Sequence, residues 1–339
     1  SGFDTVYGVE EQEALILSAG NSVEESANNL ALETTTAYLN VLKTLTLYNI
    51  AQENVSVHDK YLQQIKEKVD AGLVRSSDYE QTLSRYESAK SSQYATQQSY
   101  LLAIYGLDRI LPGLNTLNFE DPSQFTEVSS LSADNLVEVA MQNNPTIKIS
   151  KSDIEAAKSA VDRASAAYYP TADIVLDAYM NENVHGLGYS TVTQENDGES
   201  RDNGYSGMLV LNYNIFNGFA DSANKQANQH IVLQQQATLA DSKLFISANT
   251  KMAWATYDMT KKQLVYINKN IKASEKTVSD YQQEHELGRR SIIDLLNIEL
   301  EHNNARNRYT NTKYDNLTAY YQILSHTGRM LKEMNVIVK

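Results

Sequence analysis

Leu287-Gly288-Arg289-Arg290-Ser291-Ile292-Ile293-Asp294 has a twin 216 residues upstream, Ala71-Gly72-Leu73-Val74-Arg75-Ser76-Ser77-Asp78. In both, a glycine stands just past a helical stretch, where a left-handed C-cap favours a residue without a Cβ. Serine follows, at 76 or 77 and at 291, able to cap a returning helix. Asp78 or Asp294 then falls in that helix's first turn, where the dipole favours a carboxylate. Each stretch reads as the tip of an antiparallel helical hairpin.

The offset extends far beyond the tips. Gly2-Phe3 falls on Gly218-Phe219, Leu17 on Leu233, Tyr38 on Trp254, Asn54 on Asn270, Lys60 on Lys276, Ala89 on Ala305, Leu101 on Leu317 and Tyr105 on Tyr321, with no gap needed. Repetition of this length signals a duplicated structural unit. Val41, Tyr48, Val55, Leu62 and Val69 recur every seven residues, and Tyr257, Leu264, Ile271 and Val278 hold the same phase one copy later. A seven-residue apolar spacing imposes left-handed supercoiling, but the polar Gln52, Asp59 and Lys66 thin the seam, so one side of these helices is expected to face water. A helix from about Gln12 to Ala71 would be about 90 Å long at 1.5 Å per residue, which implies a cylinder or rod.

The expected organisation is a first repeat over 1–110, containing only the long hairpin, a linker over 111–130, and a second repeat over 131–331. That second repeat comprises a helix, strands at about 171–183 and 205–216, and the long hairpin; a tail covers 332–339. Residues 131–216 have no first-copy counterpart, so the expectation is a chain truncated at its N-terminus.

Few glycines (14) and prolines (4) in 339 residues, against abundant Ala, Gln, Asn, Ser, Lys and Glu, make a helical composition. A formal charge of −13 with no basic stripe argues against a nucleic-acid partner. The absence of cysteine excludes disulfides, thiol catalysis and thiolate metal sites. No run of 18 apolar residues marks a transmembrane helix. The six histidines lack zinc-ligand spacing, and there is no phosphate loop or nucleophile elbow, so neither an enzyme nor a cofactor site is expected. Glu284-His285-Glu286 is a local cluster, but adjacent residues on a helix point apart.

Two segments alternate. Ala172, Ile174, Leu176, Ala178 and Met180 lie on one face of 172–180 with Asp173, Val175, Asp177 and Tyr179 on the other. Gly207, Leu209, Leu211, Tyr213 and Ile215 oppose Met208, Val210, Asn212 and Asn214 in 207–215. An apolar face opposite a polar one over about ten residues suits a membrane-barrel strand with a wet lumen; an amphipathic hairpin on a soluble domain has the same pattern. The polar stretch Glu182–Gly204 between them reads as an exposed loop.

Together, the duplicated unit, Tyr168-Tyr169-Pro170 before the first strand, the Asn217-Gly218-Phe219 turn after the second and the two tip motifs resemble the TolC-like outer-membrane channel family. The resemblance implies a mainly α fold with a few strands: long antiparallel hairpins forming the wall of an α-barrel, and strands of a trimeric outer-membrane β-barrel, of which this chain carries two of four per protomer. It implies an outer-membrane location reaching into the periplasm and passive conduction as a homotrimer. The implied partners are a periplasmic adaptor, an inner-membrane transporter and outer-membrane lipid. Type I secretion of an adhesin-like protein is the expected task, with multidrug efflux as the alternative; a soluble coiled-coil scaffold or membrane-fusion adaptor is the alternative of another class. By motif, Arg290 matches the gate arginine, and Ser77 and Asp78 the groups it holds. Asp294 matches the first acidic position of the pore constriction and Asn297 the second; His285 stands where a gate tyrosine occurs. Gly72, Leu73, Val74, Gly288, Arg289 and Ser291 would form the tips that meet the adaptor.

Overall fold

A computed structural model describes residues 3–113, 122, 132–182 and 201–336. The expected linker over 111–130, apart from 111–113 and 122, residues 183–200 of the expected Glu182–Gly204 loop and the last three residues of the tail lie outside that set, and Arg201–Gly204 of that loop belong to a strand.

Four helices dominate. Helix α1 (Asp4–Asp70) has 67 residues and α2 (Ser76–Ile110) has 35. Between them and their counterparts come α3 (Ala133–Asn143), α4 (Pro145–Ser165), β1 (Thr171–Glu182) and β2 (Arg201–Asn212). Helix α5 (Ala220–Glu286) again has 67 residues, α6 (Ile292–His326) again 35, and a one-turn α7 (Met330–Glu333) follows. All four bounds of α5 and α6 fall 216 residues after those of α1 and α2. Helix α1 starts earlier than the Gln12 expected from sequence, directly after Phe3, whose φ of 67° matches the 65° of Phe219 before α5. The expected single helix after 131 is two helices. Pro145 opens α4, where its missing N–H costs nothing, and the Asn144 side chain accepts from the Thr146 N–H at 3.0 Å.

The chain divides into two compact units, Ser1–Asn21 with Lys148–Asp241, and Ser22–Ile147 with Ser242–Lys339. In the first, β1 and β2 form an antiparallel hairpin in which Ile174 faces Leu209 and Leu176 faces Gly207. Opposed residues share a face, so Ala172, Ile174, Leu176, Leu209 and Leu211 make one apolar surface, with Leu176 80% exposed. On the reverse face the Tyr179 ring lies over Gly204, close enough that a Cβ there would meet its hydroxyl at 2.7 Å. β2 runs Arg201–Asn212, so Tyr213 and Ile215 follow the strand. There, exposed Ile215, Phe216 and Phe219 lead into α5, with Phe216 and Phe219 edge to face at 5.4 Å. Arg163 of α4 holds the start of α1 through Asp4 (3.1 Å) and Glu11 (3.3 Å).

In the second unit the two hairpins lie side by side. Leu39 and Leu42 of α1 pack on Tyr314 and Leu317 of α6, and Val41 packs on Ala103 and Leu107 of α2. Ala253 and Tyr257 of α5 pack on Ala319, Tyr320 and Ile323 of α6, joined by Leu136 and Met330. Helix α6 therefore has α1 on one flank and α5 on the other, and fourteen of its residues are buried, whereas α2 buries four over the same length. Equal sequence length has not produced equal environments.

Candidate functional site

Both hairpin turns are built by the same hydrogen bonds. Gly72 (φ 73°) donates to the Val69 carbonyl at 2.8 Å, and the Leu73 N–H reaches back to Lys68 at 2.8 Å. Gly288 (φ 71°) and Arg289 repeat this with His285 (2.9 Å) and Glu284 (2.8 Å). The paired bonds are a Schellman cap, which satisfies carbonyls left over at the helix end. Nothing lies within 4 Å of a Cβ built on either glycine, so the left-handed φ and not crowding is what requires glycine.

The returning helices differ in their caps. Ser291 stands at the N-cap of α6: its Oγ accepts from the Asp294 N–H at 3.1 Å and donates to Asp294 Oδ2 at 2.7 Å. At the first tip neither Ser76 nor Ser77 caps. The N-cap is Arg75, with no side-chain bond, because the helix begins at Ser76 and both serines already lie in its first turn. Position 75 is the 216-residue counterpart of Ser291, and with arginine there the side-chain cap is absent.

Arg290 does not hold Ser77 or Asp78 within one chain. Its guanidinium donates from Nε (2.9 Å) and Nη2 (2.8 Å) to Glu284 and lies 4.0 Å from the centre of the Tyr281 ring. The Glu284 hydrogen bond raises the Arg290 pKa above its ordinary value, with burial opposing. Next to it, His285 Nδ1 lies 2.8 Å from the Arg290 carbonyl and its Nε2 lies 3.2 Å from Lys68 Nζ, so the ring bridges the ends of α5 and α1. Glu284 and His285 do point apart, as neighbours on a helix must. Each nevertheless finds a partner at the tip, because the turn after Glu286 brings Arg290 back past both. Asn297 accepts from Arg85 Nη2 at 2.9 Å, which places a cation beside the second constriction position. Leu73, Gly72, Gly288, Arg289, Ser291 and Ser77 are exposed, and Val74 is half-buried.

Beneath the turns, Tyr61 and Ile65 of α1 pack with Ile292, Leu295 and Leu296 of α6, and Val74, Tyr79 and Tyr281 close over them. This cluster draws residues from both hairpins. Polar groups lie just below it. Glu299 is 6% exposed, with Tyr61 Oη at 3.5 Å and Gln282 Nε2 at 3.4 Å. Burial pushes its carboxyl above the usual range, while Tyr61, Gln282 and Arg306 pull the other way. His58 is buried, its Nδ1 has no hydrogen-bond partner among the described residues, and burial followed by Arg85 lowers its pKa. Sequence reading missed Glu284, Lys68, Arg85, Tyr61 and Glu299; of these, only Glu284 left a local trace, six positions before Arg290 across a cap.

Among the described residues no group of three or more His, Cys, Asp or Glu could hold a metal ion, and no helix is long and apolar enough to cross a membrane. Residues 136–329, from within α3 to just past the end of α6, match the model of the family described as outer membrane efflux protein. The chain belongs to the outer membrane efflux protein family. It is 18% identical over 338 residues to the outer membrane efflux protein BepC of Brucella suis biovar 1 (strain 1330), covering 97% of this chain and 70% of that protein. It is 20% identical over 311 residues to the outer membrane protein TolC of Escherichia coli (strain K12), covering 89% of this chain and 62% of that one. The crystal structure of VceC from Vibrio cholerae superposes with a TM-score of 0.80 at 12% identity, over 96% of this chain and 76% of that chain, a likeness of fold. The TolC-like family expected from the tips, turn and repeat is therefore the one found, and so is the fold of long helical hairpins with few strands. Outer membrane efflux proteins are channel proteins, not enzymes, and the family places this chain in the outer membrane, extending into the periplasm.

Proposed function

We propose that this chain is the outer-membrane exit duct of a tripartite export system, a passive channel that three copies form together and that an adaptor and an inner-membrane transporter open from the periplasmic side. One observation carries this reading: two hairpins of equal length, joined near their ends by a single buried cluster, finish in matching glycine-capped turns. Such a pair can swing at its ends as a unit while the strands stay in the membrane. The two hairpins are two copies of one structural unit, the repeats at 1–110 and 131–331.

In this reading Arg290, Ser77 and Asp78 hold the closed state between tips. The Glu284 contacts use two of the five N–H donors of Arg290, which leaves three for Ser77 and Asp78. Glu284 keeps the guanidinium aimed while the duct opens and closes. Asp294, repeated around the pore, makes a cation-attracting ring, and Asn297 with Arg85 beside it limits that ring to one acidic layer. Gly72, Leu73, Val74, Gly288, Arg289 and Ser291 form the adaptor-docking surface. The apolar face of β1 and β2 meets lipid, with Phe216 and Phe219 at the interface.

For cargo we assign type I secretion of a large adhesin-like protein, on resemblance to adhesin-export members. Deleting the gene separates the two tasks: loss of one large surface protein with unchanged drug susceptibility supports secretion, and the reverse pattern supports multidrug efflux. The duct itself is tested in planar bilayers. Small, steady conductance that rises in Arg290→Ser supports it, and absence of any conductance from the full-length protein overturns it.

A further inference from the structure

The ends of α1 and α5 are repeat counterparts that carry different side chains. Adding 216 takes Lys68 to Glu284, Val69 to His285 and Val74 to Arg290. The first tip thus ends on one cation and two valines, the second on a carboxylate, an imidazole and a guanidinium. His285 joins the two ends, with Nδ1 2.8 Å from the Arg290 carbonyl and Nε2 3.2 Å from Lys68 Nζ. A carbonyl accepts and cannot donate, so Nδ1 carries the hydrogen; an ammonium donates and cannot accept, so Nε2 carries the lone pair. Both bonds together therefore require a neutral ring in one tautomer. A second proton would occupy Nε2, remove the acceptor that Lys68 uses and set two cations 3.2 Å apart. The bond from Nδ1 to Arg290 would survive and gain charge assistance. Protonation thus releases the end of α1 while the turn after α5 keeps its own bond.

We propose that His285 is a proton-operated latch between the two hairpins, closed while its ring is neutral and released by acid, so that a fall in pH loosens the tips of the duct. This rests on the gated-duct reading above. The anions around the ring are already engaged. Glu284 of α5 is held by Arg290 Nε and Nη2 at 2.9 and 2.8 Å, and Asp294 of α6 by Ser291 Oγ at 2.7 Å. Glu286 is exposed and, as the next residue on the helix, points apart from His285. Asp70 is exposed two positions beyond Lys68 on α1. Among the described residues, neither Arg75 nor Asp78 of α2 has a side-chain bond to the ring. The added charge therefore meets Lys68 without a counter-ion to offset it. Imidazole is the side chain that changes charge between about pH 5 and 8. Burial pushes His58, His302 and His326 below the ordinary 6.5, so those three keep the neutral form over more of that range. Val69, the counterpart of His285, cannot titrate, so the device belongs to one tip of the pair.

The test uses the full-length protein in detergent. Spin labels on Asp70→Cys and Glu286→Cys, both exposed at the two helix ends, report their separation by double electron–electron resonance. The distance distribution should lengthen and broaden between about pH 7.5 and about pH 5.5. His285→Gln, which takes up no proton, should give one distribution at both pH values. Lys68→Glu should invert the response, because a carboxylate pairs with the protonated ring and repels the lone pair of the neutral one. In planar bilayers the ratio of open to closed states should rise by about two- to tenfold per chain over the same range. It should be insensitive to pH in His285→Gln, fall with pH in Lys68→Glu and follow the wild type in His58→Phe. A separation that ignores pH, a dependence that survives His285→Gln, or one that keeps its sign in Lys68→Glu overturns the latch. Switching of the separation with conductance indifferent to pH overturns its role in gating. Switching without any conductance keeps the latch and removes the duct reading.

Discussion

Leu296→Ala tests whether the buried cluster makes the two tips one mechanical piece. Leu296 is 0% exposed and lies where Tyr61 and Ile65 of α1, Tyr281 of α5 and its own neighbours on α6 converge. Truncation removes its transfer free energy and leaves a cavity, a cost of about 2–5 kcal/mol depending on how far the surroundings collapse. The cluster includes Val74 and Tyr79 as well as Ile292, so the cost falls on both turns. If opening of the tips breaks this cluster, amide exchange in the first turns of α2 and α6 should accelerate together, by about 30-fold at the low end of that range. Hydrogen exchange by mass spectrometry reads both segments in one experiment. Leu300, one turn further on and half exposed, provides the control: Leu300→Ala should leave exchange at both turns within about twofold. Acceleration confined to α6, with α2 unchanged, would refute the single-piece argument, since the hairpins would then be opening independently.

The remaining expectations concern the gate, the caps and pH. Arg290→Ser and Asp78→Ala should each raise conductance in planar bilayers, and unchanged conductance in both would remove these residues from the gate. Asp294→Asn should lower cation preference measured by reversal potential; equal selectivity would put the ring elsewhere. Gly288→Ala forces a Cβ onto a φ of 71° and should destabilise the second tip by about 1–2 kcal/mol, whereas Gly20→Ala, in open space inside α1, should be neutral to stabilising by up to about 1 kcal/mol in thermal unfolding. His58 is held neutral, with a folded-state pKa below the ordinary 6.5. Its unfolded form binds the proton more tightly, so stability should fall as pH drops through 6.5 towards the folded value. Glu299 has the opposite sign: its folded-state pKa lies above the usual carboxylate range, so its contribution improves as pH falls through the folded value towards the unfolded one. Denaturant titrations of His58→Phe and Glu299→Gln across pH should each remove one limb; a profile unchanged by either substitution would show that neither group titrates with folding.

How much of this was legible in the chain depends on range. The turns at Gly72 and Gly288 were readable because a left-handed φ is a demand made by one residue on its own backbone. The strands were readable from alternation, although β2 begins at Arg201, earlier than the apolar pattern suggests, since its first ladder partners, Arg201 to Gly204, carry no apolar alternation. The serine cap expected at the first tip is absent because Ser76 and Ser77 both fall inside the first turn of α2, while the position equivalent to Ser291 is Arg75. The partner of Arg290 was missed because a helical wheel places Glu284 and Arg290 on unrelated faces, and only the intervening Schellman turn folds one back onto the other.

By itself the sequence determined the positions of the two hairpin turns and the repeat that relates them, consequences of local backbone preference and of a period carried along the chain, whereas the start of α1 at Asp4 and the break between α3 and α4 were not read from it. Tertiary structure alone decided that α6 is enclosed between α1 and α5 while α2, its twin in length, keeps an open face, and that Glu299, Asn303 and Arg306 meet Tyr61, Asn54 and Glu53 across a seam. Those pairings join residues more than two hundred positions apart. A heptad period states which side of a helix is apolar, but not which other helix that side will meet, and so two copies of one pattern acquire different neighbours and different chemistry.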